Sequence, residues 1–232
     1  MASEKGNVFV ERYLTPLSVL LAAIIIGGAL IISSNNRGVA PAGEHDGLTR
    51  ATMDEIAESV DMDVDRIHDL LAKNGELYQA AIEADQTEGQ SFGIQGTPGT
   101  IVGKIFIPGA YPLADVLGAL EGKDVPLPEG TEPADVSIAQ VKLDTSPSHG
   151  SVDAPTVMAV WYDFQCSFCK RFEAETLAAL EETHVATGKL RIVYKDFQFL
   201  GPASVEAGAY SRAVWEAYPD KWHAWFKGMM RQ

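Results

Sequence analysis

The sequence predicts an α/β fold carried behind an N-terminal membrane-spanning helix, and three stretches make the prediction. Thr156-Val-Met-Ala-Val-Trp-Tyr162 reads as a buried strand, and it runs through Cys166-Ser167-Phe168-Cys169 into an amphipathic helix containing Leu177 and Leu180. Upstream, helical patterning ends at Gly96-Thr97-Pro98-Gly99-Thr100, which opens a tight hairpin. Ahead of both, Leu17 to Ile32 is almost entirely apolar.

With its flanks, at residues 14–33, that apolar run reaches about 20 residues, the length of a bilayer span. It is longer than a cleaved leader's core, and Ala40-Pro41-Ala42 lies well beyond its end, so an uncleaved anchor is expected over residues 1–33. A buried core helix would need apolar surroundings on every face. Lys5 and Arg12 precede the run while Arg37 and Arg50 follow it, so flanking charge does not set the orientation. The polar, turn-rich stretch from Ser33 to Gly47 reads as a tether, giving a linker over 34–47 and a folded domain over 48–232.

Within that domain, Thr52-x-x-Glu55 is a capping box opening a helix through Val60, and Asp63 caps a second helix holding Ile67, Leu70 and Leu71. A third helix is expected from Glu76 to Gln90. Ile101-Val102, a Gly103-Lys104 turn and Ile105-Phe106-Ile107 form the hairpin. Pro112 starts a helix through Leu120, and the proline-rich, acidic residues 121–135 form a connector. A short strand is expected at Val136 to Leu143, another at Lys189 to Lys195, and helices at Ala203 to Tyr218 and Lys221 to Gln232. His68 reads as a surface or boundary residue.

A net charge of −14 leaves no basic footprint, so no nucleic-acid partner is expected. The two cysteines share one motif, and that motif carries the chemistry. At a strand-to-helix junction the first thiol meets unpaired backbone N–H groups and the positive end of the helix dipole, which favour its thiolate. The second sits one turn on and can close a disulfide. A zinc site would need four ligands, and His184 and His223 lie too far apart for the usual finger spacing, so no metal and no cofactor are expected.

From Asp153-Ala154-Pro155 through the Cys-x-x-Cys to Val193-Tyr194-Lys195-Asp196-Phe197, the chain resembles the DsbA-like branch of the thioredoxin superfamily. Residues 51–122 resemble that family's other part: helices, a loop matching Gly93-Ile94-Gln95-Gly96-Thr97-Pro98, a hairpin, a Gly109-Ala110-Tyr111-Pro112 step and a closing helix. The family places the Cys-x-x-Cys part first, whereas here it comes second. A circularly permuted thioredoxin-like domain with a helical insert accounts for this order, because each part occurs once and domain termini usually lie close together. Two incomplete tandem domains are the alternative.

The resemblance implies a thiol-disulfide oxidoreductase, with Cys166 as nucleophile, Cys169 as resolving thiol, and Thr97 with a cis Pro98 presenting backbone to a substrate. Asp163 and Lys195 are the nearest candidates to tune the thiols. Many relatives carry an acid six positions before the first cysteine, where this chain has Val160, and Gly201-Pro202 stands where a His-Pro step is common. Expected partners are protein thiols and a membrane quinone-linked reoxidant, with the catalytic domain on the outer face of a single-pass membrane protein. Isomerase or reductase activity needs the same residues, and a tethered binding module would need neither sulfur.

Overall fold

The computed structural model describes residues 48–129 and 134–232. The expected span at 14–33, the tether at 34–47 and residues 130–133 of the connector lie outside the described residues. Among the described residues, no helix is long and apolar enough to cross a membrane.

In chain order the elements are α1 (Arg50–Ser59), α2 (Val64–Ser91), the hairpin strands β1 (Gly99–Val102) and β2 (Ile105–Pro108), α3 (Leu113–Leu120), β3 (Ser148–His149), β4 (Thr156–Tyr162), α4 (Ser167–Phe172), β5 (Leu190–Asp196), α5 (Pro202–Ala217) and α6 (Pro219–Met230). After α4 the helix continues through a π turn (Glu173–Leu177), an α turn (Ala178–Leu180) and a second π turn (Glu181–Val185).

The strands form one sheet in the order β2-β1-β4-β5-β3. Its centre joins the two stretches that the sequence separates: β1 runs antiparallel to β4, with Thr100 opposite Val160, and β4 runs parallel to β5, with Val160 opposite Tyr194. Strand alternation divides the side chains between two cores. Met158, Val160 and Tyr162 join Tyr194, Trp222, Trp225 and Phe226 in the larger one. Ala159 and Trp161 face the other way, against Ile94, Ile101, Val136, Val141 and Phe197.

Three expectations are corrected. The strand expected at Val136 to Leu143 is irregular with a short 3₁₀ turn at Ile138–Gln140. Val136 and Val141 bury against the sheet face, with Ala159 and Trp161, instead of joining a ladder. The second and third helices are one, α2, which passes through Gly75 without a break. A mid-helix glycine costs about 1 kcal/mol, and α2 gains more than that by docking on α5, where Asn74 and Tyr78 both donate to the Glu216 carboxylate. The first helix opens one turn early, capped by Thr49, whose hydroxyl accepts from the Thr52 amide at 3.2 Å.

Candidate functional site

Cys166 is the N-cap of α4, with extended backbone (φ −73°, ψ 113°), so its sulfur stands ahead of the first helical amides. The Lys170 amide donates back to the Cys166 carbonyl at 3.1 Å and closes the first turn. Both cysteines are free thiols and both are buried, Cys166 at 6% exposure and Cys169 at 3%. The Cys166 thiol lies 3.3 Å from the Thr97 carbonyl oxygen, its acceptor, and the Thr97–Pro98 bond is cis. The structure therefore brings Thr97, Pro98, Cys166 and Cys169 together across the β1–β4 pairing.

The two sulfurs have opposite electrostatic surroundings. A hydrogen bond from the Cys169 thiol, aided by the Cys169 and Phe168 amides, outweighs burial and holds Cys166 down at about 6. Burial, followed by the bond to Cys166, pushes Cys169 far above its ordinary range. One thiol is thus a thiolate near neutral pH, and the other keeps its proton.

Asp163 touches the cysteine turn through its backbone, its carbonyl accepting from the Cys166 amide at 3.1 Å, while its carboxylate holds neighbouring segments. Fully buried, it accepts from the Gln165 amide and the Ser204 hydroxyl with one oxygen, each at 2.7 Å. Its other oxygen accepts from the Phe199 and Leu200 amides at 2.9 and 3.0 Å. The carboxylate thereby pins the loop after β5 against the turn leading into α4. Phe199 and Leu200 are left exposed, as is Phe168 between the cysteines. These three apolar side chains were not singled out from sequence, since one exposed Phe or Leu gives no signal until a fold groups it with others. A groove of about 510 Å³ lined by Gln95, Thr97, Pro98, Phe106 and Pro108 lies on the Thr97–Pro98 side.

Lys195 is opposite Trp161 in the β4–β5 register and so projects to the sheet face away from the core holding the cysteines. It is fully buried, paired with Asp85, with Glu88 at 2.9 Å, and donating to the Lys142 carbonyl. Arg212 binds the other Asp85 oxygen at 2.5 Å and Asp196 at 2.7 Å. This network ties α2 and α5 to β5. Val160 lines a small, mostly apolar cavity with Pro98 and Cys169, and the acid that reaches this cavity is the buried Glu173, seven positions after Cys166. Gly201 caps α5 at φ 136°, a conformation suited to glycine, and Pro202 follows at the first helical position.

Two family models match, in the order that the residues suggest. One, described as a DSBA-like thioredoxin domain, covers residues 43–121 with Thr97 and Pro98, and the other, described as thioredoxin, covers 142–232 with both cysteines. Both models describe thioredoxin domains, the first of them DsbA-like, so the chain is similar to the DsbA-like thioredoxin proteins over both stretches. Among curated proteins, the chain is 29% identical over 76 residues to the probable disulfide bond formation protein D of Bacillus cereus, covering 33% of this chain and 35% of that protein. Disulfide bond formation protein D of Bacillus subtilis is 26% identical over 86 residues, covering 37% and 39%. The chain thus spans little more than a third of the length of these relatives. Oxidised BdbD from Bacillus subtilis superimposes with a TM-score of 0.39 at 22% identity, over 39% of this chain and 49% of that one. ScsC from Proteus mirabilis, in a transitional conformation, gives 0.36 at 23% identity, over 79% and 63%.

Proposed function

We propose that this DsbA-like chain is a thiol-disulfide oxidoreductase that donates its disulfide to the thiols of other proteins. One observation carries the reading: Cys166 is held at about 6 while its partner is raised, directly beside the Thr97–Pro98 turn. A dithiol whose nucleophilic thiolate is stabilised favours its reduced form, so its disulfide is the more oxidising.

In the oxidised state a substrate thiolate attacks Cys166 Sγ, the Cys166–Cys169 bond breaks, and Cys169 leaves with the electron pair and takes up a proton. A second substrate thiolate then attacks the substrate sulfur of the mixed disulfide and expels Cys166 as its stable thiolate. Two electrons have passed from substrate to enzyme. The apolar rim of Phe168, Phe199 and Leu200 suits an unfolded polypeptide with exposed hydrophobic side chains, and the Thr97 backbone suits pairing with an extended segment.

The same reading gives the apolar run at 14–33 the role of a single-pass anchor, places the domain outside the membrane, and assigns reoxidation to a quinone-linked membrane partner. It takes the family order as a circular permutation of one domain over 48–232, supported by the pairing of β1 with β4. Equilibration of the purified chain with glutathione tests the activity: a potential above about −200 mV supports a disulfide donor, and one near the roughly −270 mV of thioredoxin makes it a reductant. Cys166→Ser should abolish turnover, whereas a tethered binding module would be indifferent to it.

A further inference from the structure

The helix carrying the cysteines is interrupted by two π turns, and each opens with a glutamate, Glu173 and Glu181. π turns in a helix are uncommon and are often found at functional sites. Here they bring Glu173 and Glu181 towards one place, where His223 of α6 meets them. Ligand atoms of all three side chains lie within 4.8 Å of one another.

The polar atoms at this place lack ordinary partners. Glu173 is 5% exposed, and neither of its carboxylate oxygens has a hydrogen-bond partner. Glu181 Oε1 and His223 Nε2 face each other at 2.7 Å without hydrogen-bond geometry. An unsatisfied buried carboxylate is costly and must be neutralised by a proton or a cation. Lys227 does not reach Glu173 with a bond; it holds Glu181 Oε2 at 2.6 Å and leaves Oε1 directed at the cluster. His149 lies flat on His223, ring centroids 3.7 Å apart and planes 4° from parallel, which fixes the imidazole plane.

We propose that Glu173, Glu181 and His223 bind a divalent transition metal of the zinc class. Two carboxylates and one imidazole supply a charge of −2 and three O/N ligands, which suits zinc with one position left for water. A cluster of carboxylates alone would suit a harder cation, and the imidazole decides against that. The ion joins the helix that follows Cys169 to α6, bracing the cysteine helix from behind. Glu173 also lines the cavity behind Cys169, so the site adjoins the redox pair, but the proposal does not depend on the reading given above.

Cobalt(II) and zinc binding to the full chain test it, in a Cys166→Ser/Cys169→Ser background so that thiolates cannot contribute. The expected result after chelator treatment is one equivalent of zinc by calorimetry, and a visible cobalt(II) spectrum of O/N ligation without a sulfur charge-transfer band. Glu173→Gln and His223→Ala should each weaken binding by at least about 100-fold, as loss of a ligand exceeds the 10–100-fold cost of losing an outer partner. Circular dichroism checks that each variant folds. If His223→Ala does not, Glu173→Gln decides, since it removes a buried charge at almost unchanged volume. Absence of saturable binding in the parent, or unchanged affinity in Glu173→Gln, overturns the site. Failure of the redox reading leaves the result unaffected, because both sulfurs are already gone.

Discussion

At the scale of single residues, the behaviour of the site depends on what surrounds two sulfur atoms. Cys166 has several donors and one carbonyl neighbour, so its thiolate is favoured; Cys169 is buried beside a small cavity that it shares with Glu173 and apolar side chains. Alkylation of Cys166 in the reduced chain should therefore rise with a midpoint near pH 6, far below an ordinary thiol. Thiolate ultraviolet absorbance checks this independently. The linkage has a definite sign. Because the folded-state value is depressed, the stability it gives the reduced form is complete above the unfolded thiol's range and disappears as pH falls through about 6. Chemical denaturation of reduced and oxidised protein at several pH values would detect this, the reduced form losing its advantage on acidification. Both cysteines and the Thr-Pro turn were legible in the sequence because residue type and spacing state their chemistry. The role of Asp163 was not, since its partners come from residues 199–204 and become neighbours only when β5 lies beside β4.

At the scale of elements, buried charge makes the connections. Asp163 serves three backbone amides and one hydroxyl, all around the loop that presents Phe199 and Leu200. Asp163→Ala should cost at least about 3 kcal/mol, since charge-assisted bonds contribute roughly 1.5–3 kcal/mol each and the freed donors stay partly buried. Substrate turnover should fall along with it, because the rim beside Cys166 loses its anchor. Lys195 gives a second case. Replacing it by Ala leaves Asp85 and Glu88 facing each other without their shared cation, an expected loss of about 3–5 kcal/mol measurable by urea denaturation. Because Lys195 faces away from the cysteines, the midpoint of Cys166 ionisation should not move. Element boundaries were legible where caps and periodicity agreed, as in β4, β5 and the hairpin. They were misread where tertiary packing decided: the second and third expected helices run on as α2 docked against α5, and the strand expected at Val136 to Leu143 is irregular, with Val136 and Val141 buried on a sheet face.

At the scale of the whole molecule, the question is how a turn at Pro98 and a thiol at Cys166, so ordered along the chain, come to share one site. The sheet answers it through the β1–β4 pairing, and the helices answer it a second time. α1 and α6 stand at opposite ends of the described sequence yet pack directly, with the Trp225 indole donating to the Met53 carbonyl at 3.2 Å and Gly228 facing Ile56 so closely that a Cβ would come within 2.5 Å of its methyl group. Gly228→Ala should accordingly cost about 1–3 kcal/mol by overpacking. A flexible linker long enough to run from Gln232 back along this helix pair to Leu48 can rejoin the ends at small entropic cost. A rearranged chain, residues 134–232 followed by such a linker and residues 48–129, opens the polypeptide in the connector and restores the order usual in the family. If one permuted domain is the correct description, this protein folds as a monomer and its Cys166 thiolate keeps a midpoint near pH 6, because every contact around the sulfur is retained. If the halves instead belong to different incomplete domains, severing the connector gives a chain that aggregates or a Cys166 that titrates like an ordinary thiol, and ultracentrifugation with one thiolate titration separates the outcomes.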